Sequence, residues 1–440
     1  MTDSRSVQFY VKPGGRLQGQ LRVPGDKSIS HRSIMLGSLA EGVTEVSGFL
    51  EGEDSLATLA AFRAMGVSID GPQAGRVTIR GVGMHGLRPP AAALDLGNSG
   101  TSMRLMAGLL AGQAFNVTLT GDASLSGRPM RRVVDPLGEM NATIVTTDSG
   151  TAPLEIRGGA ALQGIDYVLP VASAQVKSSV LLAGLYASGR TCVTEPAPTR
   201  DHTERMLAGM GYPLQRQGNR VCLEGGHSLQ GIAIDIPADI SSAAFFLVGA
   251  SIAPGSDLLL QHVGMNPTRT GVIDILRLMG ADIEVINPHE VGGEPVADLR
   301  VRSAALTGID IPPALVPLAI DEFPVLFVAA ACASGRTLLT GAGELRVKES
   351  DRIQVMADGL VTLGIDAQAT PDGMIIEGGI LQGGHVDSHG DHRIAMAFAM
   401  AALRAAGAIE IRDCANVNTS FPGFVDLAAQ AGSRIAAMSA

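Results

Sequence analysis

The sequence predicts a mixed α/β (α+β) protein of two similar domains, each assembled from three repeated units. Three observations lead there. Six times, a polar turn opens an Ala/Leu/Met-rich helical segment, followed by a β-branched strand, a second helix ending near Met-Gly or Leu-Gly, and another strand. A chain of 440 residues is too long for one ordinary core. With 46% hydrophobic and 17% charged residues, it can bury a large interior and is not disordered.

The first unit opens at Pro24-Gly25-Asp26-Lys27-Ser28-Ile29-Ser30-His31-Arg32, where Ser28 and Ser30 are candidate N-caps for a helix running to Leu39. A strand near Val43–Phe49 and a helix Ser55–Met65 follow. The second opens at Leu96-Gly97-Asn98-Ser99-Gly100-Thr101-Ser102-Met103-Arg104, with a strand over Asn116–Thr120 and a helix over Met130–Met140. The third opens at Val171 to Ser179, with a strand Thr191–Thr194 and a helix Thr203–Met210. The fourth, fifth and sixth open at Ala238-Asp239-Ile240-Ser241-Ser242, Asp321-Glu322-Phe323-Pro324 and Gly390-Asp391-His392-Arg393. The set of three changes over near Ile234–Asp239, and a first strand, Phe9–Val23, precedes the first opening. The expected domains are therefore 1–25 with 239–440, and 26–238 inserted between them, with hinge crossings near 24–26 and 236–240. Packed as three units about a pseudo-threefold axis in each half, six helix N-termini would face one interdomain cleft suited to polyanions.

The formal net charge of −10 argues against nucleic-acid and anionic-membrane partners, which need broad positive potential. No run approaches the roughly 18 apolar residues of a membrane helix, and Met1-Thr2-Asp3-Ser4-Arg5 leads into no apolar signal region. The expectation is a cytoplasmic monomer. Cys192, Cys222, Cys332 and Cys414 form no CxxC pair, so free thiols are expected.

Lys27, Ser28 and Arg32 crowd the first turn of a helix, where unpaired N–H groups and the helix dipole already favour an anion. Ser126-Gly127-Arg128-Pro129-Met130-Arg131-Arg132 concentrates three Arg, of which one is expected to face the cleft. Ser173-Ala174-Gln175 offers neutral donors, with Lys177 as the charge of that opening. In Arg346-Val347-Lys348-Glu349-Ser350-Asp351-Arg352, entering a helix Ile353–Leu363, Lys348 and Arg352 stand four apart and should share a helical face, where the two cations would either hold Glu349 ionised or poise it for proton transfer. His385, Asp387, His389, Asp391 and His392 have a spacing that a metal-dependent hydrolase could use, but the adjacent Arg393 opposes it.

Together, the openings at Pro24–Arg32, Leu96–Thr101 and Ser173–Gln175, with Gly127–Met130, Arg346–Arg352 and Asp391–Arg393, resemble the 5-enolpyruvylshikimate-3-phosphate synthase family over nearly the whole chain. That resemblance implies three βαβαββ-type units per domain and a site in the cleft between domains. It also implies transfer of the enolpyruvyl group of phosphoenolpyruvate to the 5-hydroxyl of shikimate 3-phosphate, with phosphate released and no metal or organic cofactor. By the same likeness Ser28 and Arg32 would hold the shikimate carboxylate, Ser173, Ala174 and Arg200 its phosphate, and Gln175, Asp321 and Lys348 its hydroxyls and ring; Lys27 belongs with this group. Lys27, Gly100, Arg128, Gln175, Arg352 and Arg393 would hold phosphoenolpyruvate. Asp321, with Lys27 as partner, would be the base and Glu349 the acid.

Two departures stand out. Where many members carry Lys before Phe-Pro, this chain has Asn418-Thr419-Ser420-Phe421-Pro422, and Leu105 replaces the Pro that often follows the Arg of the second opening. The sister transferase acting on UDP-N-acetylglucosamine usually has Lys-Asn at the first opening, but here Ser28 follows Lys27. A non-catalytic sugar-phosphate binder would avoid burying Asp321 and Glu349 among cations.

Overall fold

The computed structural model describes residues 7–439; Met1–Arg5, read above for targeting, lies outside them. The described chain divides into two compact units. Unit 1 comprises the chain up to Pro24, Pro237–Glu290 and Pro295 onward; unit 2 comprises Gly25–Ile236 with the turn Val291–Glu294.

Unit 2 contains three four-stranded sheets of one design. Their orders are Ala233–Asp235, Val43–Ser47, Arg76–Arg80, Ser68–Gln73; Leu94–Asp95, Val117–Thr120, Leu154–Arg157, Thr143–Val145; and Asp166–Val168, Arg190–Thr194, Arg220–Glu224, Leu214–Gln217. In each, the first pair is parallel and the next two are antiparallel. A parallel pair needs a crossover, and within the second and third sheets the opening helices Gly100–Ala111 and Ala174–Gly184 supply it.

Unit 1 repeats the design. One sheet runs Gly384–Asp387, Ile409–Arg412, Val7–Gly15, Ser433–Ser439, again parallel then antiparallel. A second runs Gln18–Leu21, Asp257–Gly264, Glu294–Arg302, Asp282–Val291. The third has three antiparallel strands, Arg336–Leu339, Gly373–Glu377 and Asp366–Thr370, and its parallel partner is reduced to a bridge between Asp310 and Leu338. The expected single strand Phe9–Val23 is instead two, Val7–Gly15 and Gln18–Leu21, which enter different sheets. Gly14 and Gly15, both with positive φ, turn the chain between them.

The six opening helices are Lys27–Leu39, Gly100–Ala111, Ala174–Gly184, Ile240–Ile252, Phe323–Ala331 and His392–Ala401. Each unit has its own apolar core, in which these helices lie. Every residue of Ile240–Ile252 and of Phe323–Ala331 is buried, as a helix apolar on all sides requires. The neighbours Gly100–Ala111 and Ala174–Gly184 approach so closely that a Cβ on Gly108 would strike the Ser179 carbonyl oxygen, so only glycine fits there.

Five openings are capped by a side chain, namely Asp26, Ser99, Ser173, Asp239 and Asp391. The first cap corrects the sequence expectation: Asp26 accepts from the Ile29 N–H at 2.9 Å, while the Ser30 hydroxyl is spent on Leu50 N–H. The expectation of free thiols fails for one pair. Cys192 and Cys222 face each other on adjacent antiparallel strands and form a disulfide, a register hidden by their separation of 30 residues; Cys332 and Cys414 are free. Among the described residues no helix is long and apolar enough to cross a membrane.

Candidate functional site

In unit 2, Arg32 is 4% exposed and, among the described residues, meets no carboxylate directly. Its Nε donates to the Thr203 hydroxyl at 2.7 Å, Nη2 to the Ser178 hydroxyl at 2.8 Å and Nη1 to the Ser28 carbonyl at 3.1 Å. A guanidinium has five N–H groups, so one on each of Nη1 and Nη2 has no partner among the described residues. That is the fork a carboxylate accepts in bidentate fashion. Burial draws the Arg32 pKa down to about 10, with Glu204 and Asp26 opposing and the charge of Arg200 assisting; the group remains a cation at neutral pH.

Lys27, on the same first turn, pairs with Asp54. His31 faces inward with no exposed surface, its Nδ1 2.8 Å from the Thr58 hydroxyl, and Thr58 meets Ser102 at 2.5 Å. Ser102 lies 2.7 Å from Ser99, the cap of the second opening. A chain of hydroxyls thus links the two openings. Burial first, and then the charges of Lys27 and Arg32, push the His31 pKa well below the ordinary histidine value.

At the second opening, Arg128 donates to Asn98 Oδ1 at 2.6 Å and Ser124 Oγ at 3.2 Å. Arg131 is exposed and donates to the Asp148 carbonyl. Sequence reasoning missed Arg104, whose Nη1 donates to Gln175 Oε1 at 2.5 Å, while Gln175 Nε2 donates to Thr101 Oγ1 at 3.0 Å. The signal was available: Arg104 stands one helical turn after Gly100 and returns to its face. A Cβ on Gly100 would lie 3.1 Å from Arg128 Nη1 and 3.2 Å from Arg104 Nη1. Gly100, Arg104, Arg128 and Gln175 are therefore one cluster.

At the third opening Ser173 caps the helix, with Ala174 and Gln175 in its first turn and all three half-buried. Arg200 lies on the connection before His202–Gly209 and is half-buried. Lys177 departs from its expected role. Its ammonium has no exposed surface and pairs with Glu204 at 2.7 Å and Glu195 at 3.0 Å, because its place within the helix turns it into the core.

In unit 1, Arg352 is the hub. It is 1% exposed and reaches three carboxylates: Asp391 Oδ2 from Nε at 2.8 Å, Glu349 Oε2 from Nη2 at 2.5 Å and Asp321 Oδ1 from Nη1 at 3.4 Å. Burial works against its charge, but Asp391, Glu349 and Asp321 more than offset this, and its pKa is raised. Lys348 Nζ lies 3.3 Å from the same Asp321 oxygen. The shared helical face expected for Lys348 and Arg352 is absent, since Lys348 is extended and the helix Arg352–Thr362 starts at Arg352. The two cations meet at Asp321 through the loop.

Arg393 donates to the Asp321 carbonyl at 2.9 Å and lies 3.5 Å from Glu322 Oε1. Glu322 is a buried carboxylate of this cluster that sequence reasoning passed over, and Asp391, read there only as a possible metal ligand, is a second; both lie at helix openings it had marked. Of the residues with metal-like spacing, Asp391 accepts from Arg352, and His385 pairs with Glu410 at 2.9 Å. Among the described residues no group of three His, Cys, Asp or Glu could hold a metal ion. At the departure near the C-terminus, the Thr419 hydroxyl is turned into its own 3-10 turn, donating to the Asn416 carbonyl at 2.7 Å.

The chain as a whole is similar to known proteins. Residues 11–427 match the family described as EPSP synthase (3-phosphoshikimate 1-carboxyvinyltransferase). The chain is 75% identical over 427 residues to the 3-phosphoshikimate 1-carboxyvinyltransferase of Alkalilimnicola ehrlichii, covering 97% of this chain and 96% of that one. It is 73% identical over 428 residues to that of Methylococcus capsulatus, covering 97% and 98%. An EPSP synthase structure from Acinetobacter baumannii matches with a TM-score of 0.90 at 59% identity, over 99% of this chain and all of the other. The enolpyruvyl transferase NikO from Streptomyces tendae shares the fold, with a TM-score of 0.79 at 16% identity.

Proposed function

The chain belongs to the EPSP synthase family, transferases of the shikimate pathway, and on that premise we propose that it moves the enolpyruvyl group of phosphoenolpyruvate to the 5-hydroxyl of shikimate 3-phosphate. The observation that carries the reading is the pairing of Asp321 and Glu349 with Arg352 and Lys348. Two carboxylates among cations serve proton transfer next to bound anions, whereas a simple anion binder gains nothing from them.

In this reading Arg32 and Ser28 take the shikimate carboxylate, and Ser173, Ala174 and Arg200 its phosphate. Gln175, Lys348 and Asp321 take its hydroxyls and ring, with Lys27 beside them. Lys27, Gly100, Arg128, Gln175, Arg352 and Arg393 hold phosphoenolpyruvate; Arg104 joins them through Gln175. Asp321 accepts the proton of the 5-hydroxyl as that oxygen bonds to C2 of phosphoenolpyruvate, and Glu349 protonates C3. The resulting tetrahedral intermediate collapses when C3 returns its proton to Glu349 and the C2–O bond to phosphate breaks, the proton held by Asp321 passing to the departing phosphate so that both carboxyl groups are restored. Arg and Lys side chains meet the phosphate charge throughout, which is why the reading calls for no metal or organic cofactor. The same reading places the protein in the cytoplasm as a monomer, with small anions as its partners.

The test is phosphate release by the purified protein given both substrates, each alone as control, with EDTA present. Release with both only is expected. Binding of both without release would reduce the protein to a binder, and release abolished by EDTA would restore the metal hydrolase.

A further inference from the structure

Lys177 belongs to none of the groups assigned to a substrate, yet it lies on the helix that Ser173 caps. Its ammonium meets Glu195, at the start of the connection carrying Arg200, and Glu204, in the first turn of the helix that follows it. The Thr199 hydroxyl donates to the second Glu195 oxygen, and the Glu195 backbone is held on both sides by Asn219, through an N–H donated to the Asn219 carbonyl at 2.9 Å and an amide accepted at 2.5 Å. Beyond Arg200, Asp201 is gripped by Arg205 at 2.9 Å and Arg216 at 2.8 Å. One turn of the helix Ala174–Gly184 carries both Lys177 and Ser178. Thr203 donates to Ser178 at 2.8 Å, and both hydroxyls receive Arg32.

We propose that Lys177 is a positioning residue: its ion triad with Glu195 and Glu204 fixes Arg200, and through Thr203 also Arg32, against the Ser173–Gln175 turn. The groups assigned above to the phosphate and carboxylate of shikimate 3-phosphate are thereby assembled before the ligand arrives, which lowers the ordering cost of binding. Stability alone is a weak reason for such a triad, because neutral packing of similar shape often serves as well. The inference rests on the proposed substrate reading.

The test replaces the triad by neutral side chains of similar shape, Lys177→Met with Glu195→Gln and Glu204→Gln, in the full chain. KM for shikimate 3-phosphate should rise about tenfold, with KM for phosphoenolpyruvate changed by less than about twofold and kcat by less than about threefold. A purely structural role would instead reduce the active fraction and the melting temperature without separating the two KM values, and that result, or an unchanged KM, overturns the inference. Arg200→Ala is the companion variant. If it leaves KM for shikimate 3-phosphate unchanged, the substrate assignment itself fails; if it raises KM while the triple variant does not, only the role of Lys177 fails. Should the triple variant not fold, Thr199→Val cuts the bond to Glu195 beside Arg200 and is read by the same split, with a rise of about threefold expected and no rise overturning the proposal.

Discussion

Gly100→Ala separates binding from stability, and the geometry gives both signs. The new Cβ would stand 3.1 Å from Arg128 Nη1 and 3.2 Å from Arg104 Nη1, so each guanidinium end must retreat by a few tenths of an ångström. Both atoms end flexible side chains, so the backbone need not move. Gly100 is the first residue of its helix, and alanine there adds helix propensity worth up to about 1 kcal/mol. The fold should therefore be as stable as before, or more so. Binding should suffer, because the displaced ends belong to the two Arg that flank the proposed phosphoenolpyruvate subsite. Weakening one charge-assisted hydrogen bond costs about 1–2 kcal/mol, which is about 5- to 30-fold in KM for phosphoenolpyruvate. Steady-state kinetics with each substrate varied, beside a thermal melt, reads all three quantities. An unchanged KM for phosphoenolpyruvate would refute the placement of these Arg, and an equal rise in both KM values with a lower melting temperature would show that the helix itself had shifted.

Glu349→Gln keeps the size of the side chain that faces Arg352 and removes its proton chemistry; turnover should fall by about 100-fold or more with substrate binding nearly intact, and a large loss of binding in calorimetry would contradict the acid role. Arg352→Met leaves the fully buried Asp391 without its guanidinium, so unfolding free energy from denaturant titration should drop by about 3–5 kcal/mol; a loss below about 1 kcal/mol would mean that Asp391 is satisfied without it. For His31, the folded pKa lies well below that of the unfolded chain, so as pH falls below about 6.5 the unfolded state takes up a proton that the folded state refuses, and stability declines by up to about 1.4 kcal/mol per pH unit until the folded pKa is reached. Urea melts at pH 7 and 5.5 should show that decline in the native protein and a smaller one in His31→Gln; equal slopes would remove His31 as the cause.

The sequence by itself determined the six openings, because capping side chains, turn residues and apolar helices are written in neighbouring positions. It also carried the motif set that placed Lys27, Arg32, Gly100, Arg128, Asp321, Glu349, Arg352 and Arg393 as candidates. What it could not carry was any contact between residues far apart in the chain. The cap of the first helix went to Asp26 in place of Ser28 or Ser30, because Ser30 was claimed by Leu50, twenty residues on. Lys177 looked like a ligand for anions, and only the packing of its helix against the Glu195–Glu204 connection turned it inward. Lys348 and Arg352 meet at one Asp321 oxygen through a loop whose path no helical period describes. Cys192 and Cys222 became partners through an antiparallel register that pairs two distant strands. Local patterns are read from local residues; which side chain neutralises or orients which other is decided when the chain closes on itself, since burial and charge act through space and not along the sequence.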